Sequence, residues 1–141
     1  MHNRVQSFED LEIYKRCIEL QQVIFEETKR WPKEEMYSLI DQVRRSSRAI
    51  GECIAEAWAK RRYPAHFISK LTDADGEQNE TRHWLYTAHL SGYLDKTTHE
   101  KYMEQCSIIG AQLGLMMKNA ADWRPSDCLT VQRYDSKTVR Q

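Results

Sequence analysis

The sequence predicts an all-α fold, an antiparallel up-down-up-down four-helix bundle, on three observations. Glycine and proline are scarce, five and three in 141 residues, and no segment reads as an array of strands. Apolar residues recur at three- and four-residue steps through four long segments, the period of a helix with one buried face. The breaks between those segments are short, so consecutive helices must double back on one another. The bundle is expected over residues 1–124, with a polar, aperiodic and flexible tail over 125–141.

Helix 1 is expected to begin at Ser7, which makes a capping box with Asp10. It runs on through Phe8, Leu11, Tyr14, Ile18, Gln21, Phe25 and Thr28 and stops at Trp31-Pro32, because proline disfavours helix in the residue before it. Helix 2 spans about Glu35 to Arg62 with a core stripe of Leu39, Val43, Ser46, Ile50, Cys53 and Ala57. Helix 3 opens on Pro64, suited to a first turn, and ends at Ser91-Gly92, where glycine supplies a left-handed cap. Its core line is Phe67, Leu71, Ala74, Gln78 and Leu85. Helix 4 follows Asp95, with Thr97 and Glu100 as an alternative box, and carries Tyr102, Cys106, Ile109, Leu113 and Met116/Met117 before fading near Trp123.

Whole-chain charge is balanced, 21 basic against 21 acidic residues, which removes any global attraction to polyanions or membranes. Local charge is separated. Residues 42–62 hold six basic residues and two acidic ones, whereas residues 71–80 hold four acidic residues and no basic one. No apolar run approaches a membrane span and the start lacks a signal peptide's apolar stretch, so a cytoplasmic protein without membrane contact is expected. Cys17, Cys53, Cys106 and Cys128 lack the close spacing of zinc ligands and read as reduced, structural thiols.

The outward side of helix 2 carries the most informative pattern. Arg44 and Arg48 are one turn apart with Arg45 beside them, Arg62 continues the row, and Lys60 and Arg61 crown the helix end. Aligned guanidinium groups suit a phosphate backbone, with Tyr63 or Trp58 available to stack on bases. The same arginines suit ion pairs within the bundle or with a neighbour, and cations at a helix C-terminus also offset its dipole. Helix 3 offers the counterpart, an acidic stripe of Asp73, Glu77 and Glu80 continued by Trp84. A basic face on one subunit meeting an acidic face on the next makes a head-to-tail contact that closes a ring or runs on as a filament. Small Ala55 and Ala59 would allow close approach there, and burial of Trp58, Trp84 or Tyr63 would have to supply most of the energy.

Chemistry has little footing. Glu80 and His83 form one E-x-x-H step, but a di-iron bundle needs two such steps and two further inward glutamates, and His2, His66, His89 and His99 are too scattered to complete a set. No metal site, cofactor or catalytic residue is expected. Ser46, Gln78, Thr81 and Gln21 fall on inner stripes and either form one hydrogen-bonded network that fixes helix register or line a small pocket.

These segments carry a resemblance. The motifs are Phe8-x-x-Leu11-x-x-Tyr14, Trp31-Pro32-x-x-Glu35-x-Tyr37-x-Leu39, Gln42-Val43-Arg44-Arg45-Ser46 with Ile50 and Ile54-Ala55-Glu56, Phe67 through Leu71, Gly76, Glu80, and Gly92-Tyr93-Leu94. Over roughly residues 8–120 the chain resembles the bacterial four-helix proteins related to those encoded within intervening sequences of 23S ribosomal RNA genes, the S23-type family. It departs from that family's pattern at Gly51, Cys53 and Ala57, where proline, asparagine and glycine are common. The resemblance implies a four-helix protomer, a ring-like homo-oligomer of five subunits and no catalytic activity, and some relatives are nucleic-acid-binding accessory proteins of reverse transcriptases. The expected function is therefore a non-enzymatic RNA-binding accessory or scaffold. The alternative is a protein–protein interaction module whose charged faces serve self-assembly or a partner protein.

Overall fold

A computed structural model of the chain describes residues 5–127. Four helices carry the fold: α1 (Glu12–Thr28), α2 (Asp41–Ala59), α3 (Pro64–Leu90) and α4 (Lys96–Lys118). Contacts between their ends give the directions. Arg44 at the start of α2 meets Thr28 at the end of α1. Ser46 near the start of α2 meets Thr81 late in α3, and Thr72 early in α3 meets Met117 late in α4. Glu27 at the end of α1 meets Tyr102 at the start of α4. Each helix thus runs opposite to its neighbours, as expected of a bundle with short connections. Cys128 and most of the expected tail lie outside the described residues.

The helix boundaries correct the reading of helix 1. Asp10 accepts the backbone N–H groups of Gln6 (2.9 Å) and Ser7 (3.1 Å), the carboxylate half of the expected box. That cap serves a single 3₁₀ turn, Phe8–Asp10, and Leu11 then takes an extended conformation (φ −69°, ψ 130°) before α1 starts at Glu12. The buried stripe of α1 is consequently Ile13, Cys17, Leu20, Ile24, Glu27 and Thr28, not the Tyr14–Ile18–Gln21–Phe25 line, which is half-buried. Both lines have helical spacing. The second faces α2, where Tyr14 comes up against Gly51 and Phe25 lies under arginines, so it meets only one neighbour.

The expected core lines of α2, α3 and α4 are buried, with Met117 half-exposed at the rim. The α3–α4 hairpin closes as glycine dictates. Gly92 has φ +84°, Gly92 N–H bonds to His89 O (3.1 Å) and Tyr93 N–H to Ala88 O (2.9 Å), the paired bonds of a left-handed helix cap. Asp95 caps α4 by accepting Thr98 N–H at 2.7 Å. Before α2 the chain makes one wide π-helical turn, Met36–Ile40, which leaves Tyr37 94% exposed.

The inner polar residues form two separate contacts, and not one network. The Thr81 and Ser46 hydroxyls are 2.9 Å apart in the dry seam between α2 and α3. Gln78 instead donates to Asp75 at 3.1 Å and packs on Gly110 of α4, where a Cβ would come within 3.1 Å of its amide nitrogen. Gln21 is only half-buried and faces Gln22.

The end of the bundle where α1 meets α4 is held by a buried carboxylate that periodicity did not reveal. Glu27, 8% exposed, accepts from Trp31 Nε1 (3.2 Å), Arg30 (3.2 Å) and the Tyr102 hydroxyl (3.3 Å). Burial, then the Glu27 charge, pushes the Tyr102 phenol up to about 12, so it stays a donor. Beside it Tyr93 donates to Glu35 (2.9 Å), joining the two connections at that end. The His89 and His99 rings stack at 4.7 Å, and burial followed by the His89 charge lowers the His99 pKa. Burial also pushes the Cys17 and Cys106 thiols to about 12, which fits inert, reduced core residues.

Three stability measurements follow from these features. Tyr102→Phe leaves Glu27 short of one donor and should cost about 1–2 kcal/mol in denaturant unfolding; a change within a few tenths would show that the bond contributes nothing net. Gly92→Ala forces a Cβ into the left-handed region and should cost about 1–2 kcal/mol. Gly114→Ala, where an added Cβ meets nothing within 4 Å in mid-helix, should stabilise by about 0.5–1 kcal/mol.

Candidate nucleic-acid interface

The outward side of α2 is the face on which the chain concentrates cationic side chains, and the structure sorts them into two groups. Arg44, Arg45 and Arg48 occupy the first half of the helix, and Lys60, Arg61 and Arg62 follow its last turn. At 1.5 Å per residue about 18 Å separates Arg48 from Lys60. The single basic row expected from the sequence is thus two patches, with Glu52, Ala55, Glu56 and Ala59 in between.

The first patch is built on an aromatic platform from α1. The guanidinium carbons of Arg44 and Arg48 lie 4.8 and 5.4 Å from the Phe25 ring centroid, and Lys29 Nζ lies 4.6 Å from the same ring. Arg44 Nε also donates to Thr28 Oγ1 at 2.8 Å. Cations over a ring face are held electrostatically by its quadrupole, which restricts two otherwise flexible side chains. Arg45, on the other flank, donates to Gln42 at 3.0 Å and stands 4.0 Å from Glu80 of α3. With Asp41, Ala49, Glu52 and Glu77 these arginines line an open depression of about 630 Å³.

The second patch is used largely inside the chain. Arg61 stacks on Trp58 at 3.9 Å and donates to the Trp58 carbonyl at 2.9 Å, covering the helix C-terminus. Trp123 closes on the same indole edge-on at 6.1 Å, so Trp58 is half-buried among its own neighbours. Arg62 pairs with Asp127 at 3.0 Å. Lys60 is exposed, and Tyr63, 59% exposed, holds its ring 5.6 Å from His66. Of the two candidate stacking residues, Tyr63 is the more exposed, and Trp58 is covered by Arg61 and Trp123.

Part of the acidic stripe of α3 borders the arginine patch, Glu77 lining the same depression and Glu80 facing Arg45. Asp73 lies 3.5 Å from Lys70, which in turn reaches Glu56 of α2 at 2.9 Å. That Lys70 bridge across the helices went unnoticed in the sequence, because a lysine one turn before an acidic run looks like any solvated residue. Glu56 holds the Lys70 ammonium above its ordinary pKa. Burial, then Glu80, raises the Glu77 carboxyl, while Arg45 opposes the shift. Trp84 is half-buried against the core with His83 edge-on at 4.7 Å, and Glu80 faces Arg45, so the two members of the E-x-x-H step point to different partners. Ala55 is half-buried and Ala59 exposed. Among the described residues no helix is long and apolar enough to cross a membrane, and no group of three or more metal-ligating side chains is gathered.

The face as a whole presents fixed guanidinium groups along the first half of α2, with acidic side chains along one border. A family model described as "23S rRNA-intervening sequence protein" matches residues 9–114. A crystal structure of a protein of unknown function from the S23 ribosomal protein family of Bacteroides thetaiotaomicron VPI-5482 is similar, with a TM-score of 0.66 and 25% identity over 75% of this chain and 98% of that one. Among curated proteins, none is similar enough to count as a relative. The extent of the match and the shared four-helix fold make this chain a member of the 23S rRNA-intervening sequence protein family.

Proposed function

We propose that the chain is a non-enzymatic cytoplasmic bundle that binds RNA as an accessory or scaffold, with Arg44, Arg45 and Arg48 of α2 holding phosphates. One observation carries the reading: Arg44 and Arg48 sit over the Phe25 ring and line an open depression. Guanidinium groups fixed before binding lose less side-chain freedom when a phosphate arrives. Tyr63 and Lys60 extend the same strand path toward the far end of α2, where a base can stack on the exposed ring. Arg61 and Arg62 are engaged within the chain and contribute to the field more than to direct contacts.

Filter binding of a labelled single-stranded RNA at two ionic strengths tests the proposal. Three phosphate contacts on a single strand predict that log K falls with log salt with a slope of about −2. Arg44→Glu/Arg48→Glu should remove most of the affinity. Absent or salt-independent binding would sink the reading.

A second reading is favoured by the mixed charge of the α2–α3 border, which suits self-assembly. Here Ala55, Ala59, Trp58, Asp73, Glu77, Glu80 and Trp84 belong to a joint between copies, five in a closed ring as the family resemblance implies, or to a docking face for a nucleic-acid-processing protein. Light scattering separates the two. If Arg48→Glu turns an oligomer into monomers, the arginines belong to the joint; if assembly is unchanged while RNA binding is lost, they face the nucleic acid.

A further inference from the structure

Among the described residues, Tyr37 is the large apolar or aromatic side chain that the fold leaves almost bare. It is 94% exposed, against 67% for Leu90, the next in order. Among the described residues its ring meets no other ring or cation, and its hydroxyl makes no hydrogen bond. An uncovered ring forgoes the burial that aromatic side chains ordinarily contribute. The turn that carries it is nonetheless held firmly. On one side the Glu35 carboxylate accepts from the Tyr93 hydroxyl (2.9 Å) and the Ser38 hydroxyl (2.7 Å). On the other side Leu39 and Ile40 are buried in the core. The turn is π-helical, a rare form that recurs at functional sites. A ring presented from a fixed turn loses little freedom when a ligand covers it.

The position of Tyr37 relates it to the arginines. Helical backbone runs unbroken from the π turn into α2, with Ile40 at φ −62° and ψ −48°. Tyr37, Asp41, Arg44 with Arg45, and Arg48 therefore follow at steps of three or four residues along one face. Asp41 lines the same depression as the three arginines, and Tyr37 stands one turn before it. About 10 Å of helix axis separates Tyr37 from Arg44 at about 1.5 Å per residue, the length of about three stacked nucleotides. Tyr63, past the end of α2, lies farther from the arginines than Lys60 does. The local charges decide which part of a nucleotide each end meets. Arg44, Arg48 and Lys29 gather over Phe25 and attract phosphate, whereas exposed Glu34 and Asp41 flank Tyr37 in sequence and repel it. A protein anchor residue would call for a packed apolar surround. Here Lys33, Glu34, Ser38 and Asp41 are exposed polar residues, and Met36 adds the only other exposed apolar side chain of the turn.

We infer that Tyr37 is a stacking platform for an unpaired base of a single-stranded RNA whose phosphates lie on Arg44, Arg45 and Arg48. The inference rests on the phosphate-binding reading above and adds to it a contact with the base. Stacking uses the π-face that every base has, so the site requires a base and is tolerant of which one.

The test is fluorescence anisotropy with two labelled probes of equal length and charge, an oligouridylate and an abasic oligomer on the same backbone. It compares wild type, Tyr37→Ala, Tyr37→Phe, and Tyr86→Ala as a control at an exposed tyrosine of α3 that faces His99 of α4. Tyr37→Ala should bind the oligouridylate about tenfold more weakly than wild type does. It should bind the abasic chain as wild type does and keep the wild-type salt slope, because no phosphate contact is removed. Tyr37→Phe, which keeps the ring, and Tyr86→Ala should both behave as wild type. Tyr37→Ala binding the oligouridylate as tightly as wild type overturns the stacking role and leaves the arginine reading in place, whether or not light scattering shows altered assembly. An equal loss on both probes, the mark of a merely structural effect, overturns it too. Absence of binding by every protein removes the phosphate-binding reading and the stacking role with it. Tyr37 is bare, so Tyr37→Ala should melt with wild type, and thermal melts check that folded proteins are compared.

Discussion

The dry seam between α2 and α3 is the constraint on which the rest of the molecule depends. Val43, Ser46, Ile50, Cys53 and Ala57 on one side and Phe67, Leu71, Ala74, Thr81 and Leu85 on the other are all buried. Apolar packing alone would tolerate a slip along the helices. The Ser46–Thr81 contact, at 2.9 Å between fully buried hydroxyls, favours one register, because a slip of one turn forfeits it and leaves each hydroxyl only a carbonyl of its own helix, Val43 O or Glu77 O. Register at this one point sets which charges face each other outside. Ten residues further along α2, toward the start of α3, Lys70 meets Glu56; directly beside the hydroxyl contact Arg45 meets Glu80.

The charged border itself is a weak contributor to stability. Arg45 and Glu80 are each more than half exposed at 4.0 Å, and pairs of this kind contribute about 0–1 kcal/mol. What they fix is the electrostatic pattern that an approaching molecule meets. The arginine patch has Phe25, Thr28 and Lys29 on one flank and carboxylates on the other. The same pattern, read by another copy of the chain, offers both signs in one patch. The interior is different in kind. Glu27 has three donors and sits among Trp31 and Tyr102, and the connections at that end converge on it and on the neighbouring Tyr93–Glu35 bond. The chain thus separates a buried carboxylate that holds structure from the exposed carboxylates of the α2–α3 border.

Membership of the intervening-sequence family accounts for segments that the bundle alone does not require. Trp31, Glu35 and Tyr93 belong to the motifs that carry the resemblance, and in the fold they meet across the connections. Arg44, Arg45 and Ser46 are consecutive in another motif, yet Ser46 is buried in the seam while Arg45 is exposed and Arg44 leans on α1. One short motif thereby serves both the register of the bundle and its outer face. Gly51, Cys53 and Ala57, the positions that the resemblance marks as departures, are all buried.

The all-α bundle, the caps at Gly92 and Asp95 and the core lines of α2, α3 and α4 were legible in the residues, because helical period, glycine and short polar caps act within a few positions along the chain. Helix 1 misled, since it carries two apolar lines of equal period, and only its neighbours decide which one is enclosed and which is merely leaned upon. The charged residues were legible as residues and not as partners. That Arg44 and Arg48 lean on Phe25, that Arg61 covers Trp58, and that Lys70 bridges to Glu56 all depend on positions at least three and up to some twenty residues apart. Local sequence determined which helices form and which sides are apolar. Tertiary packing decided which cations are spent inside the chain and which remain for something else, because an ion pair depends on distance in space, and a single sequence records distance only along the chain.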